Sequence, residues 1–199
     1  VIIEVNTSRP DMEGIHDIPN ISASIPSVPI SIKKVSQRIG SPFIKIPRNK
    51  ILAIIESKLE EKEVYYGKIT KIERQIARNI ASFLKEEIKK GRLPKDLYPL
   101  QTGVGPVGDA IAQELFKEGF RNLKLWTEVM SCYYMDSLDE GLLSAASATT
   151  LYIPPYERKY LDRLADQIHV YKKNMILRPT DITNNCETVS RLGVISINQ

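Results

Sequence analysis

Segments with helical periodicity alternate with apolar segments of strand length along most of this 199-residue chain. The clearest helix is predicted by apolar residues that recur every three or four positions ahead of Lys89-Lys90-Gly91. These residues are Ile69, Ile72, Ile76, Ile80, Phe83, Leu84 and Ile88. A second helix is predicted to begin at Pro106 and to end at Gly119. The alternation predicts an α/β fold with a largely parallel sheet.

The other predicted elements are shorter. Strands are predicted at residues 51–56, 123–129, 144–149, 175–177 and 194–198, and helices around residues 135–138, 160–168 and 189–192. The run at 51–56 is apolar on both faces, which predicts a strand that is covered on both sides. The first fifty residues carry six of the twelve prolines and no helical periodicity, so they predict an extended, looping connection.

The composition excludes two classes of protein. The chain is 42% hydrophobic and 26% charged, which excludes a disordered protein, and no apolar run approaches the ~18 residues that a membrane span needs. A net charge of +4, with Lys and Glu interspersed, does not predict nucleic acid as a partner. The two cysteines and two histidines lack the spacing of metal ligands, so no metal site is predicted. Two cysteines cannot form a disulfide framework, which predicts a reducing compartment.

A glycine-rich loop precedes the second helix. Gly103-Val104-Gly105-Pro106-Val107-Gly108 matches the G-x-G-x-x-G pattern of dinucleotide-binding domains, and Glu128 lies twenty residues further on. Two features argue against a dinucleotide: Pro106 has no N–H to offer a phosphate, and residues 94–100 carry two prolines where a central strand would run. Two other interpretations stay open, a turn that binds nothing and a loop whose Val104 N–H donates to a substrate.

Glu128 follows an apolar strand, at the end where α/β sheets place their ligand crevices. Its carboxylate is a candidate catalytic nucleophile or base, a candidate ribose ligand, or a plain surface residue. The residue pattern alone does not separate these roles.

Several motifs, in order along nearly the whole chain, resemble the acetyl-CoA hydrolase/transferase family. This family includes succinyl-CoA:acetate CoA-transferases and, more distantly, 4-hydroxybutyrate CoA-transferases. The motifs are Ile2-Ile3-Glu4-Val5-Asn6, Gly14-Ile15-His16-Asp17-Ile18, Arg38-Ile39-Gly40, Gly91-Arg92-Leu93-Pro94, Leu97 to Gly105, Thr127-Glu128-Val129 and Arg191 to Asn198. Because ordered motifs are more specific than one glycine loop, the resemblance displaces the dinucleotide interpretation.

The resemblance implies a CoA-transferase-type α/β fold with an open, mostly parallel sheet. It implies an enzyme that moves CoA between an acyl-CoA and a small carboxylic acid such as acetate, succinate or 4-hydroxybutyrate, or that hydrolyses acetyl-CoA. By the same resemblance, Glu128 is the catalytic nucleophile, the loop Gly103-Val104-Gly105 holds the acyl oxygen, and Asn184 lies in the acyl site. A non-catalytic relative that binds CoA remains an alternative.

The resemblance also implies how the chain is organised. Family members are longer and consist of two similar α/β domains, so the chain is interpreted as a middle piece, truncated at both ends. Residues 1–66 are expected to be the C-terminal end of the first domain with the inter-domain connection, and residues 67–199 the N-terminal part of the second domain. A cytoplasmic homodimer is expected by the same analogy, with coenzyme A as substrate, no permanent cofactor and no membrane partner.

Three departures from the family pattern put acyl specificity in question. Residues 130–133 (Met-Ser-Cys-Tyr) replace a Gln-Asp or Ser-Asp pair followed by Gly, residues 184–187 lack the proline of Asn-x-Pro-Glu, and Ser190-Arg191 replaces Arg-Arg. Among the remaining candidates, His16 and Cys132 are expected to be structural residues and His169 a solvated helix cap.

Overall fold

The computed structural model describes residues 1–7, 9–19, 29–59 and 64–198. The strands are β1 Ile2–Asn6, β2 Ala53–Ser57, β3 Leu100–Thr102, β4 Leu123–Trp126, β5 Val129–Ser131, β6 Leu143–Ala148, β7 Thr150–Tyr152, β8 Met175–Leu177 and β9 Ile195–Ile197. The helices are α1 Lys71–Lys89, α2 Pro106–Lys117, α3 Tyr133–Asp139, α4 Lys159–Tyr171, α5 Thr180–Thr183 and α6 Cys186–Leu192. Short 3-10 turns lie at Arg48–Lys50 and Pro155–Glu157.

The main sheet has five strands in the order β8-β6-β4-β3-β9, and all of its pairings are parallel. Two further parallel pairs, β1 with β2 and β5 with β7, lie outside it. The predicted α/β fold with a largely parallel sheet is therefore confirmed.

Both faces of the main sheet are covered. Alternate residues of a strand point to opposite faces, so Leu125 joins the hydrophobic cluster under α1 to α4, whereas Trp126 joins the cluster on the other face. The second cluster is closed by Ile30, Ile32 and Val35 from the proline-rich segment and by α5 and α6. The segment predicted as an extended connection thus also contributes side chains to the core.

Helix α1 begins with a capping box. The Thr70 hydroxyl accepts a hydrogen bond from the Ile72 N–H at 3.2 Å, and the Glu73 carboxylate accepts one from the Thr70 N–H at 2.7 Å. These bonds satisfy two of the backbone donors that a helix leaves free at its start. At the other end, the chain leaves α1 through Gly91 at a φ of +71°.

We expect Thr70→Ala to lower the free energy of unfolding by about 1 kcal/mol, because it removes the hydroxyl that caps α1. Chemical denaturation measures the effect. Ser82→Ala, at an exposed position of the same helix, is the control and should leave stability unchanged or slightly higher. Equal losses in both variants would contradict a capping role for Thr70.

The expectation that strand 51–56 is covered on both sides is wrong for the described chain. This strand is β2, which pairs with β1 alone, and Leu52 and Ile54 beside and within it are 81% and 66% exposed. A parallel strand buries both faces only where helices pack on each side, and β2 has no such cover from the described residues.

Two further expectations about strands need correction. The strand predicted at 123–129 is divided: β4 ends at Trp126 and β5 begins at Val129, so Thr127 and Glu128 lie between two sheets. The prolines of residues 94–100 do not prevent a central strand, since β3 begins at Leu100, directly after Pro99, and lies between β4 and β9.

Candidate active site

The carboxyl ends of the five parallel strands lie along one edge of the main sheet, called here the carboxyl edge. Arg178 follows β8, Thr149 follows β6, Thr127 and Glu128 follow β4, and Gly103 follows β3. Open α/β sheets bind ligands in the crevice beyond this edge. The fold therefore places Glu128 and the glycine loop, residues 103–108, at the ends of two adjacent strands.

The main chain at Glu128 is fixed by its neighbours, while its side chain is exposed. The Thr127 N–H donates to the Ser147 carbonyl at 3.0 Å, and the Thr127 hydroxyl donates to the Thr102 carbonyl at 3.0 Å. The Glu128 carbonyl accepts hydrogen bonds from the N–H groups of Thr149 at 2.8 Å and Thr150 at 3.2 Å. These bonds explain the break between β4 and β5, because they turn the chain from one sheet to the next.

The Glu128 carboxylate makes no hydrogen bond or ion pair with another described residue. An exposed carboxylate on a fixed backbone is available to a ligand and does not have to break an existing contact to react. This arrangement suits a nucleophile, which has to be held in place without being blocked.

The glycine loop makes a close turn into α2. Gly105 has a φ of +112°, which side chains disfavour, and Pro106 occupies the first helical position. A Cβ atom on Gly108 would lie 1.9 Å from the Gly103 carbonyl oxygen, so only glycine fits there without displacing the loop. The loop is held to β9 by the Gly103 N–H, which donates to the Ile197 carbonyl at 3.2 Å.

Val104, in the middle of the loop, is half-buried. Within the described ranges its backbone N–H donates to no protein acceptor. A backbone N–H that no protein acceptor uses can stabilise negative charge that develops on a substrate oxygen.

Asn184 follows α5, a single helical turn that lies against the carboxyl edge. The Trp126 indole N–H donates to the Thr183 carbonyl at 2.8 Å, and the hydroxyls of Thr183 and Thr149 are 2.6 Å apart. Asn184 itself is exposed. Thr183, the residue before Asn184, thus contacts the last residue of β4 and the residue after β6 whose N–H binds the Glu128 carbonyl.

The other candidates from the sequence lie in structural positions. His16 pairs with Leu177 beside β8, and burial lowers the pKa of its imidazole, with the Arg38 charge lowering it further. Cys132 is fully buried, and this burial raises the pKa of its thiol far above the usual range. His169 is exposed in the last turn of α4. Across the described segments, no group of three or more His, Cys, Asp or Glu is placed to hold a metal ion.

Asp109, in the first turn of α2, is a buried carboxylate that the sequence patterns did not single out. It is 2% exposed, and its Oδ1 atom has no hydrogen-bond partner among the described residues. Burial raises the pKa of Asp109, and a hydrogen bond with Ser131 offsets part of this rise. A buried position in an amphipathic helix carries no sign in the sequence that one carboxylate oxygen of its side chain lacks a partner.

We expect Asp109→Asn to stabilise the protein by about 1 kcal/mol near pH 7 and to lose this advantage in acid. The raised pKa means that the folded state holds this proton more tightly than the unfolded state. The stabilisation that the protonated Asp109 carboxyl gives the folded state is therefore fully present below the ordinary Asp pKa of about 3.9. It is lost as the pH rises through the pKa of Asp109 in the folded state. Unfolding free energies of wild type and variant across this pH range test it, with the exposed Asp166→Asn as control. A pH-independent difference would contradict the expectation.

A cavity of about 740 Å³ lies among helices α1 to α4. It is lined by residues of α1, α2, α3 and the start of α4 and by the segments beside them, and each of its cations has a partner in the described chain. Arg74 and Lys117 both pair with Glu114, and Lys159 pairs with Glu157. None of the candidate residues at the carboxyl edge lines this cavity.

The sequence patterns also missed a buried ion pair between Arg178 and Asp17 at the end of β8. Burial lowers the pKa of Arg178 to about 10, while the Asp17 charge opposes this shift, so the guanidinium stays protonated at neutral pH. The one signal available was an arginine that directly follows an apolar strand.

No helix within the described part of the chain has the length and apolar character needed to cross a bilayer.

The parallel sheet with flanking helices has the fold seen in a solved CoA-transferase. A 4-hydroxybutyrate CoA-transferase from Porphyromonas gingivalis has the same fold, with a TM-score of 0.60 at 21% identity over 99% of this chain and 49% of that one. RipA from Yersinia pestis superposes with a TM-score of 0.57 at 19% identity, over 75% of this chain and 32% of that one.

Sequence comparison identifies the relatives of this chain more specifically than structural comparison does. The whole chain is 36% identical to an acetyl-CoA hydrolase of Schizosaccharomyces pombe and 32% identical to a succinyl-CoA:acetate CoA-transferase of Clostridium kluyveri. This confirms the resemblance to the acetyl-CoA hydrolase/transferase family. The chain spans 37% and 36% of the lengths of these two relatives. No family model matches it.

Proposed function

We propose that this protein is a CoA-transferase that moves CoA between an acyl-CoA and a small carboxylic acid, with Glu128 as the nucleophile. The observation that carries the proposal is the placement of a carboxylate and a backbone N–H, neither with a partner among the described residues, at the ends of β4 and β3. The similarity to acetyl-CoA hydrolases and a succinyl-CoA:acetate CoA-transferase supports acyl-CoA as the substrate class.

The reaction balances without ATP, a metal or a permanent cofactor. A Glu128 carboxylate oxygen attacks the thioester carbonyl, the C–S bond breaks, and CoA leaves as a thiolate, which gives a mixed anhydride. The thiolate then attacks the Glu128 carbonyl carbon and expels the carboxylate of the former acyl group, which leaves a glutamyl-CoA thioester. An incoming carboxylate reverses these two steps and departs as the new acyl-CoA, so the thioester bond is conserved.

Each addition places negative charge on a carbonyl oxygen. The Val104 N–H is assigned to this oxygen, and the fixed Gly103 and Gly105 backbone keeps that donor in place. Loss of one such donor costs roughly 3 kcal/mol of transition-state stabilisation in other enzymes. Asn184 is assigned to the acyl group, as the family resemblance implies.

Hydrolysis uses the same residues with a different acceptor. Water that attacks the glutamyl thioester releases CoA and regenerates the Glu128 carboxylate. Because the relatives carry both names, the hydrolase is retained as the alternative outcome for this site. The choice depends on whether the pocket admits water or a carboxylate to the thioester.

The proposal includes the organisation expected from the family. Residues 1–66 are assigned to the end of a first CoA-transferase domain and its connection, and residues 67–199 to the beginning of a second. The separate β1–β2 pair and its exposed apolar side chains support this division. The assembly is proposed to be a cytoplasmic homodimer, and light scattering after size exclusion tests the dimer.

The test is the intact mass of the longest polypeptide that contains these residues, after incubation with acetyl-CoA and, separately, with succinyl-CoA. A covalent CoA adduct that is absent in Glu128→Gln and disappears when acetate is added supports the transferase. An adduct that decays in buffer without a carboxylate acceptor supports the hydrolase.

Two results would overturn the proposal. CoA binding without an adduct from either donor would remove Glu128 as the nucleophile and favour a non-catalytic relative. Absence of CoA binding together with saturable NAD binding would favour a dinucleotide site at residues 103–108.

A further inference from the structure

The Arg178 guanidinium is a fully buried cation that reaches three parts of the chain. It donates from Nη1 to Asp17, from Nε to the Ser147 hydroxyl at 2.6 Å, and from Nη2 to the Gln37 carbonyl at 2.5 Å. Neither Arg178 nor Asp17 exposes any side-chain surface. The pair therefore lies wholly inside the protein, at the end of β8.

Asp17 comes from the N-terminal segment and is fully paired. Its carboxylate accepts hydrogen bonds from the N–H groups of Ile39 at 3.1 Å and Gly40 at 2.6 Å, besides that from Arg178. The Asp17 N–H donates to the Leu177 carbonyl at 2.8 Å. Residues 17 and 37–40 are thereby fixed to the outer strand of the main sheet.

The same guanidinium packs against Trp126, with 5.5 Å between its central carbon and the ring centroid. Trp126 ends β4, two residues before Glu128, and its indole N–H donates to the carbonyl of Thr183, one residue before Asn184. Ser147, which accepts from Arg178, also accepts the Thr127 N–H through its carbonyl. Arg178 therefore contacts the residues that carry the main chain of Glu128 and the α5 turn before Asn184.

A contribution to stability alone is a weak explanation for this pair. Removing two charges from water is costly, and replacing a buried ion pair by packed apolar residues is often neutral or stabilising. An ion pair with several hydrogen bonds fixes a single geometry. Each bond is directional, and breaking one in the interior leaves a buried polar group unpaired at a high cost in free energy.

We infer that Arg178 and Asp17 are positioning residues that hold the carboxyl edge in the geometry needed for Glu128 and Asn184 to meet the same acyl group. This inference rests on the proposed CoA-transfer function. Arg178 acts through Trp126 and Ser147, and it contacts no residue assigned to the chemistry. The ion pair also fixes the segment around Asp17, which the proposal assigns to the first domain, to the catalytic edge of the second.

The test compares Arg178→Lys with Arg163→Lys in the longest polypeptide that contains this chain. Arg163 is a matched control, since it pairs with Asp136 and Asp139 and lies 4.7 Å from the centroid of the Tyr160 ring, on the helical side. Ser147→Ala is a second, milder variant that removes only the acceptor of the Arg178 Nε–H. The rate of glutamyl-CoA formation is measured by rapid quench and intact mass, beside the affinity for CoA.

Trp126 gives a readout that does not depend on activity, because it is the one tryptophan among these 199 residues. Any tryptophan elsewhere in the longer polypeptide is replaced by phenylalanine in the parent protein and in every variant. Arg178→Lys should slow adduct formation by at least about tenfold with unchanged CoA affinity, since small displacements of reacting groups carry large rate costs. It should also increase quenching of Trp126 fluorescence by acrylamide. Ser147→Ala should slow the adduct by about threefold, and Arg163→Lys should match wild type in both readouts.

Wild-type adduct rates and unchanged Trp126 quenching in Arg178→Lys and Ser147→Ala would overturn the inference. If Arg178→Lys does not fold, Ser147→Ala decides it by the same two readouts. A wild-type protein that forms no adduct refutes the proposed function and, with it, any catalytic positioning. Trp126 quenching then still reports whether Arg178 holds the strand end, so the two failures are distinguishable.

Discussion

Glu128→Gln is expected to lower the steady-state rate of CoA transfer by at least about 10⁴-fold, as loss of a covalent nucleophile does in other enzymes. The amide oxygen of Gln carries no full negative charge and cannot form the mixed anhydride. The fold should be unaffected, because the contacts at this position are made by the Glu128 carbonyl and by Thr127. Initial rates and thermal unfolding measure the two effects.

Two companion variants sharpen this experiment. Glu128→Asp keeps the charge but withdraws it by one methylene, so a loss of about 10²-fold is expected from misplacement alone. Glu140→Gln removes an exposed carboxylate after α3 and should behave as wild type. A Glu128→Gln protein that keeps more than about a tenth of the wild-type rate would exclude Glu128 as the nucleophile.

Gly108→Ala is expected to lower the free energy of unfolding by about 3 kcal/mol, at the upper end of the usual cost of overpacking. The new Cβ would lie 1.9 Å from the Gly103 carbonyl oxygen, so the loop or the start of α2 has to move. Since Val104 lies in that loop, adduct formation should also slow by about 10²-fold. Denaturation and rapid-quench mass measurements follow the two losses separately.

Gly91→Ala separates this clash from the general cost of removing a glycine. Gly91 has a φ of +71° and no atom within 4 Å of the site a Cβ would occupy, so only backbone strain of about 1 kcal/mol is expected there. It lies after α1, away from the glycine loop. Similar losses in both variants, with equal rates of adduct formation, would show that the contact between Gly108 and Gly103 does not hold the loop.

Local patterns predicted most of the helices and strands. The apolar repeat from Ile69 to Ile88 predicted α1 because one face of a helix returns every three to four residues, and Pro106 with Gly119 correctly bracketed α2. Exposure of β2 could not be predicted in this way. An apolar run indicates that a strand can be buried, but not which part of a protein covers it.

The candidate site was predictable only as a set of residues. Glu128 and the glycine loop stood out, and the βαβ connection through α2 brings them to neighbouring strand ends; their roles remain predictions. The end of β4 at Trp126 was not predictable, because it depends on hydrogen bonds from Thr127 and Thr149 to chain far away in sequence. The pair of Arg178 with Asp17 spans 161 positions, and no local pattern links residues so far apart.

Glu128 and Asn184 are held by two separate parts of the carboxyl edge. The backbone of Glu128 is held by the ends of β3 and β6, whereas Asn184 follows a single turn that contacts the edge through Thr183. Residues 184–187, one of three stretches that depart from the family pattern, follow α5, whereas residues 130–133 follow Glu128 directly. With the roles proposed for Glu128 and Asn184, we expect substitutions after α5 to change the preferred acyl chain without moving the Glu128 backbone.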